Sequence, residues 1–217
     1  MTSEPVSVNS QAEIVRSLYR RGGKRGLDIL LAAVGVMLLS PLILISVAAV
    51  FLESGWPLMF KQVRCGMSGR TFTIYKIRTM SAVKVPAISG FDVGSNARVT
   101  KVGRILRKTK LDEVLQLFNV LKGDMSIVGP RPEVPYWVSQ FPSEWAIAHR
   151  VRPGLSDEAA LLYINEEEEL RAAEDPDQHY RAVVLPRKLS LYNEYVSSYS
   201  LQYDLLLIIR TIKAVLF

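Results

Sequence analysis

Cysteine is almost missing from this chain. The one thiol in 217 residues, Cys65, cannot form an intrachain disulfide, which fits a reducing compartment, and a lone cysteine reads as incidental. Histidine is scarce as well. His149 and His179 stand 30 positions apart with no pair of cysteines beside them, which argues against a zinc site. There is no phosphate loop of the Gly-x-x-x-x-Gly-Lys kind and no Gly-x-Gly-x-x-Gly run, so nucleotide-hydrolase and Rossmann readings are disfavoured. No internal repeat is evident. The most informative lack is of charge, which is absent from Ile29 to Leu52.

That gap sits in a chain that is 22% charged yet has a mean hydropathy of +0.15, so one very apolar segment must lie beside an ordinary polar domain. As a straight helix its 24 residues extend about 36 Å, enough for a hydrocarbon core of about 30 Å. A cleaved signal peptide fits poorly, because the run is long and no small-residue cleavage site follows. Ser40-Pro41 falls at its middle, where proline removes a donor and predicts a kink or break. A kinked single span is one reading. Charge favours another: Arg16, Arg20, Arg21, Lys24 and Arg25 precede the run, and Lys61, Arg64, Arg70, Lys76, Arg78 and Lys84 follow it. Positive charge on both flanks keeps both ends cytoplasmic, as in a re-entrant helix that breaks and returns, with the Ser40 hydroxyl bonding a freed carbonyl.

The expected fold is α+β and mainly helical. Residues 1–10 read as a frayed terminus. Met59–Arg64 and Thr71–Ile77 read as a hairpin around a glycine turn, and 81–97 as a loop. Helical spacing marks Val102–Arg107 and Leu111–Leu121, the latter with Val114, Leu117, Phe118 and Leu121 on one face and Gly123-Asp124 at its end. Glu144–Val151 and Asp157–Ala173 also read as helices, with Glu166–Glu169 a solvated face. Lys188–Tyr199 and Leu201–Phe217 form a helical tail whose apolar end suits a membrane surface.

A net charge of +6 and a pI near 9.5 ask for an anionic partner: nucleic acid, anionic lipid or a phosphorylated substrate. The candidate chemistry lies at Asp112-Glu113. Thr109-x-x-Asp112 also matches a capping box, so a purely structural reading is available. Yet Arg98, Lys101, Arg104, Arg107, Lys108 and Lys110 crowd just before the pair, with Arg104 and Arg107 on one helical face. Cations that bind phosphates beside a carboxylate that attacks or holds a metal are the parts of a phosphoryl-transfer site. Farther on, Pro130-Arg131-Pro132 makes a stiff corner whose arginine can grip a phosphate with two nitrogens.

The string from Leu111 to Glu133, LDEVLQLFNVLKGDMSIVGPRPE, resembles the signature of bacterial sugar transferases, the monotopic polyprenyl-phosphate phosphoglycosyl transferases. The likeness extends in order through KRGLD at Lys24–Asp28, the Ser40-Pro41 dipeptide and PLMFKQVRCGMSGRTFTIYKIRTM from Pro57 to Met80. RVTKVGRILRKTKLDE from Arg98, RVRPGL at Arg150–Leu155 and the C-terminal tail continue it. The resemblance implies a non-spanning re-entrant helix, with Lys24, Arg25 and Asp28 at its start. It implies Asp112 as nucleophile and Mg²⁺ ligand, and Glu113 as the base assisting the lipid phosphate. Arg104, Arg107, Pro130, Arg131, Pro132 and Arg152 are then phosphate or nucleotide contacts. Where members commonly continue Thr-Gly-x-Ala-Gln after the Pro-Gly turn, this chain has Ser156, Asp157 and, in the Gln position, Ala160, so the sugar is left open. It also lacks the large N-terminal spans of longer relatives, which suggests a minimal catalytic unit.

The expected layout is an N-terminal segment, 1–23, a re-entrant membrane helix, 24–55, and a cytoplasmic catalytic domain with membrane-surface helices, 56–217. The expected activity transfers a phospho-sugar from a UDP-sugar to undecaprenyl phosphate at the bacterial inner membrane, the first membrane step of polysaccharide assembly. UMP would leave and membrane lipid would be a partner; a homodimer is left open. A nucleic-acid partner is not expected, because the basic residues surround carboxylates instead of interleaving with aromatics. An inactive membrane scaffold is the remaining alternative.

Overall fold

The computed structural model describes residues 13, 15–81 and 98–216; the terminus expected over 1–10 and the loop expected over 81–97, beyond Ser81, lie outside them. The chain is mostly helical around two small sheets. Helix α1 runs Val15–Ser54 with one wide π-type turn at Tyr19–Gly23, and it is long and apolar enough to cross a membrane. Its regular α-helical part begins at Lys24, after the wide turn. Pro41 lies inside it and does not break it. The proline deprives the Met37 carbonyl of its donor, and the Ser40 hydroxyl supplies one at 2.9 Å, so the helix carries through.

Both ends of α1 are fastened to the same body. At one end Arg25 donates to the Val120 and Leu121 carbonyls at 2.7 and 3.0 Å, and Asp28 accepts from Ser126 Oγ and the Ile127 amide at 2.9 Å each. At the other, the Glu53 carboxylate accepts from the Lys101 and Val102 amides, and Arg78 donates to the Ser54 and Gly55 carbonyls. Between these ends Leu30, Met37, Leu38, Leu44 and Ile45 stand exposed, while Val50 packs with Ile77, Leu106, Val114 and Leu115.

Strands β1 (Met59–Cys65) and β2 (Thr71–Ile77) pair antiparallel, Met59 opposite Ile77, as the alternation predicted. Helix α2 (Lys101–Lys108) follows, N-capped by Thr100. The single helix expected over Leu111–Leu121 is instead a 3-10 turn, Leu111–Glu113, and helix α3, Gln116–Lys122. Of the expected apolar face, Val114, Leu117 and Leu121 pack inward as predicted, but Phe118 is exposed, while Gln116 and Asn119 are buried. Asn119 Nδ2 donates to the Thr73 carbonyl at 2.8 Å, which makes a polar side chain tolerable inside and leaves an apolar one facing out. Gly123, at φ 98°, closes α3 in the left-handed conformation that glycine adopts freely.

Strands β3 (Ser126–Val128) and β4 (Gly154–Ser156) form a short parallel pair that the sequence reading missed. Between them lie α4 (Pro135–Gln140) and α5 (Pro142–Ala148), the latter ending earlier than expected. The helix expected over Asp157–Ala173 divides into α6 (Glu158–Leu162) and α7 (Glu166–Ala172). A one-turn helix α8 (Pro176–His179) leads through a wide turn into α9 (Leu185–Ser198). Trp137, Trp145, Tyr180, Leu185, Leu189 and Tyr192 form the main core there. Helix α10 (Leu201–Leu216) buries Leu207 and Asp204 and exposes Leu205, Leu206, Ile209 and Ile212, so it is amphipathic. Asp204 accepts from Tyr19, Lys24 and Tyr195, which ties α10 to the start of α1.

Candidate active site

The site begins where α2 ends. Thr109 Oγ1 turns back to the Ile105 and Leu106 carbonyls at 2.9 and 3.2 Å, closing its own helix. Lys110 then adopts φ 56°, a left-handed conformation that costs a side-chain-bearing residue about 1–2 kcal/mol and reverses the chain. The capping-box alternative therefore falls: Thr109 caps nothing ahead of it, and Asp112 sits in a 3-10 turn.

Asp112 is 8% exposed, and its Oδ1 is buried with no hydrogen-bond partner among the described residues. Burial, and next the Glu113 charge, push its carboxyl above the ordinary range against the pull of Lys76, Arg107 and Lys110. An unmet carboxylate oxygen inside a ring of cations is costly, and its retention asks for a ligand. Glu113 is the opposite case. Burial would raise it, but Arg131 and Lys76 outweigh burial and hold it well below the ordinary range. Lys76 Nζ lies 2.8 Å from Glu113 Oε1, and Arg131 donates to the same oxygen.

Arg131 is held by its neighbours' backbone. The Gly154 amide donates to the Pro130 carbonyl at 2.9 Å, and Arg64 donates to the Pro132 carbonyl at 3.1 Å. A Cβ on Gly154 would fall 2.1 Å from the Gly129 nitrogen, so the two backbones can approach only because both residues are glycine. Glu133 completes the clamp, accepting from Arg64 at 2.7 Å and from the Tyr180 hydroxyl at 2.6 Å.

Of the other predicted contacts, Arg107 is half-buried beside the site, with Nε on Thr79 Oγ1 at 3.0 Å. Arg104 is exposed on α2. Arg152 donates from Nε to the Gly123 carbonyl at 2.9 Å, helping Arg25 satisfy the last turn of α3. Lys24, Arg25 and Asp28 hold the start of α1 as described above.

A family model described as bacterial sugar transferase matches residues 19–217. The chain belongs to this family. Among its relatives is the UDP-N-acetylgalactosamine-undecaprenyl-phosphate N-acetylgalactosaminephosphotransferase of Aeromonas hydrophila, 38% identical over 89% of this chain and 43% of the relative. The UDP-glucose:undecaprenyl-phosphate glucose-1-phosphate transferase of Caulobacter vibrioides is 37% identical over 89% of this chain and 69% of its own. An exopolysaccharide production protein of Rhizobium meliloti is 31% identical over 98% and 93%. This sugar transferase thus spans less than half of the first of these relatives and most of the other two.

In this bacterial sugar transferase two site residues had no assigned role in the sequence reading. Lys76 reaches Glu113 from 37 positions away, across the hairpin, and no local pattern signals that pairing. Asp157, flagged only as a departure from the family's loop, caps α6 through the Ala160 amide at 2.8 Å. It is buried, with Oδ2 unpaired among the described residues, and burial pushes it up to about 6. For Mg²⁺ the described residues offer no cluster of three or more ligands. The free Oδ1 of Asp112 suits an ion that takes one or two carboxylates and completes its shell with substrate phosphates and water.

Proposed function

We propose that this chain transfers a phospho-sugar from a UDP-sugar to undecaprenyl phosphate by way of an aspartyl intermediate on Asp112. The observation that carries the reading is the buried Oδ1 of Asp112, without a partner among the described residues, with Lys76, Arg107 and Lys110 acting on it. The printed names of the relatives supply the donor and acceptor classes. In the first step an Asp112 oxygen attacks the β-phosphorus, the bond to the bridging oxygen breaks, and UMP leaves with that electron pair. In the second, an oxygen of the lipid phosphate attacks the same phosphorus and frees the Asp112 carboxylate. Glu113 is a weak base while Arg131 and Lys76 lie on it. It accepts the lipid phosphate's proton once the substrate's own phosphates draw those cations away. Mg²⁺ at Asp112 would supply charge neutralisation for the diphosphate.

The same reading makes α1 re-entrant, turning back by a bend at Pro41 within its continuous helical run, with the catalytic body on the cytoplasmic face of the bacterial inner membrane, where nucleotide-sugars are made. It is supported by the fastening of both ends of α1 to one body, since a spanning helix would carry one end across the bilayer. The exposed apolar residues of α1, with Phe118 and the outer row of α10, form the surface that lipid would cover.

The test is exchange of labelled UMP into UDP-sugar without any lipid, using UDP-glucose and UDP-N-acetylgalactosamine in turn. Exchange with transient covalent labelling of the protein is expected. Release of UMP only when both substrates are present would refute the covalent route.

A further inference from the structure

The acidic run Glu166–Glu169 reads from sequence as a solvated face, but three of its four carboxylates are paired among the described residues, each with a side chain from a different part of the chain. Glu166 Oε2 lies 2.5 Å from Lys188 Nζ, and Glu169 Oε1 lies 2.9 Å from His179 Nε2. Glu167 meets Arg107, 60 positions away, with both carboxylate oxygens 3.2 Å from Nη1. Helix α7 is not loose at this point. Leu170 is buried in the main core and Lys188 is buried beneath Glu166, so the helix is seated and Glu167 is delivered to one place.

The bonding of Arg107 shows what Glu167 does there. Nε is taken by Thr79 Oγ1 and Nη2 by Met80 Sδ, each at 3.0 Å, so the body of the protein already aims the guanidinium. Nη1 is the remaining nitrogen, and Glu167 occupies it. The Glu167 side chain is 70% exposed and that of Arg107 31%, and exposed ion pairs are weak and screened by salt. A phosphate, which binds arginine more strongly than such a pair does, displaces it.

We propose that Glu167 is an affinity-setting residue: a resident anion on the outward nitrogen of Arg107 that a phosphate of the nucleotide must displace to bind, and that returns when the nucleotide leaves. The inference rests on the reading of Arg107 as a phosphate contact. It assigns α7, a segment outside the family signature quoted above, the role of lowering affinity for the nucleotide and so easing product release. A merely orienting role predicts the reverse, because loss of Glu167 would then slacken Arg107 and weaken binding.

The test is the Kd of UDP for the full-length, detergent-solubilised protein, by calorimetry at low and high salt. The variants are Glu167→Gln, Arg107→Ala and the double variant. Glu167→Gln is isosteric and lies on an exposed site. It is expected to tighten UDP binding about two- to fivefold at low salt, with the gain shrinking as salt rises. Arg107→Ala is expected to weaken binding, and in that background Glu167→Gln should change nothing, since the arginine it acts through is gone. If Arg107→Ala weakens binding while Glu167→Gln leaves it unchanged or weaker, the resident-anion role is wrong and the phosphate contact stands. If Arg107→Ala binds UDP as wild type does, both fall together.

Discussion

Replacing Asp112 by asparagine should abolish chemistry and leave the protein more stable. In wild type the carboxylate is buried, with Oδ1 unpaired among the described residues. An unsatisfied buried acceptor costs about 1–3 kcal/mol, and more when charged. Asparagine keeps the volume, removes the charge and leaves a neutral amide partly unpaired, so a net gain on the order of 1 kcal/mol is expected. For a chain of this size that is about 2–4 °C in Tm, measurable by thermal shift in detergent with EDTA present. The gain should depend on pH with a definite sign. The folded state holds the Asp112 proton to higher pH than the unfolded state does. Wild-type stability from this group is therefore intact below the ordinary carboxylate range and falls as pH rises through the folded value. The two proteins should converge near pH 4 and separate above it. UMP exchange in the variant should be undetectable. A Tm for Asp112→Asn several degrees below wild type at pH 7.5 would show that the carboxylate is structural, and retained exchange would remove it from the chemistry.

Three further outcomes follow from the same geometry. Arg131→Lys keeps the charge but loses the planar fork on its rigid turn. It should lower kcat/KM by about 10- to 100-fold, the worth of a charge-assisted contact, and wild-type kinetics would take Arg131 out of the site. Gly154→Ala would set a methyl 2.1 Å from the Gly129 nitrogen, so the parallel strand pair must part. The variant should be poorly expressed or unfold several degrees early, and an unchanged melting curve would contradict the described approach. Single cysteines at Arg20 and Trp56, with Cys65 replaced, should both resist an impermeant thiol reagent in intact cells and both react after permeabilisation. Labelling of one flank alone in intact cells would mean that α1 spans.

What the sequence disclosed was whatever has a short period or a local cause. The alternation of Met59–Cys65 and Thr71–Ile77 gave the hairpin, and the spacing from Val102 to Arg107 gave α2. Ser40 beside Pro41 foretold the bond to the freed carbonyl, though not that the helix would remain whole. The Asp112-Glu113 pair could be singled out, but only resemblance set it above a helix cap, because the cap pattern is satisfied on paper. What decides against the cap is the left-handed turn at Lys110, and lysine carries no preference for it. The cations on Glu113 and the carboxylate on Arg107 come from distant segments, where pairing leaves no trace in spacing. Strands of three residues, as in β3 and β4, are too short for a period to show. The outward turn of Phe118 defeats burial logic for a physical reason: beside an apolar helix such as α1, outside need not mean water.

The attachment of α1 at both ends bears on any attempt to make the catalytic body without it. Glu53 caps the first turn of α2, Arg25 satisfies the last turn of α3, and Asp28 holds the start of β3. A shortened protein starting after Gly55 would be rid of its greasiest segment and would also lose the groups that finish two helices and a strand. Each lost cap costs about 0.5–2 kcal/mol, and both helices flank Asp112 in the chain. The helix is therefore less a tether than a splint, and solubility gained by removing it would come with a slackened active site.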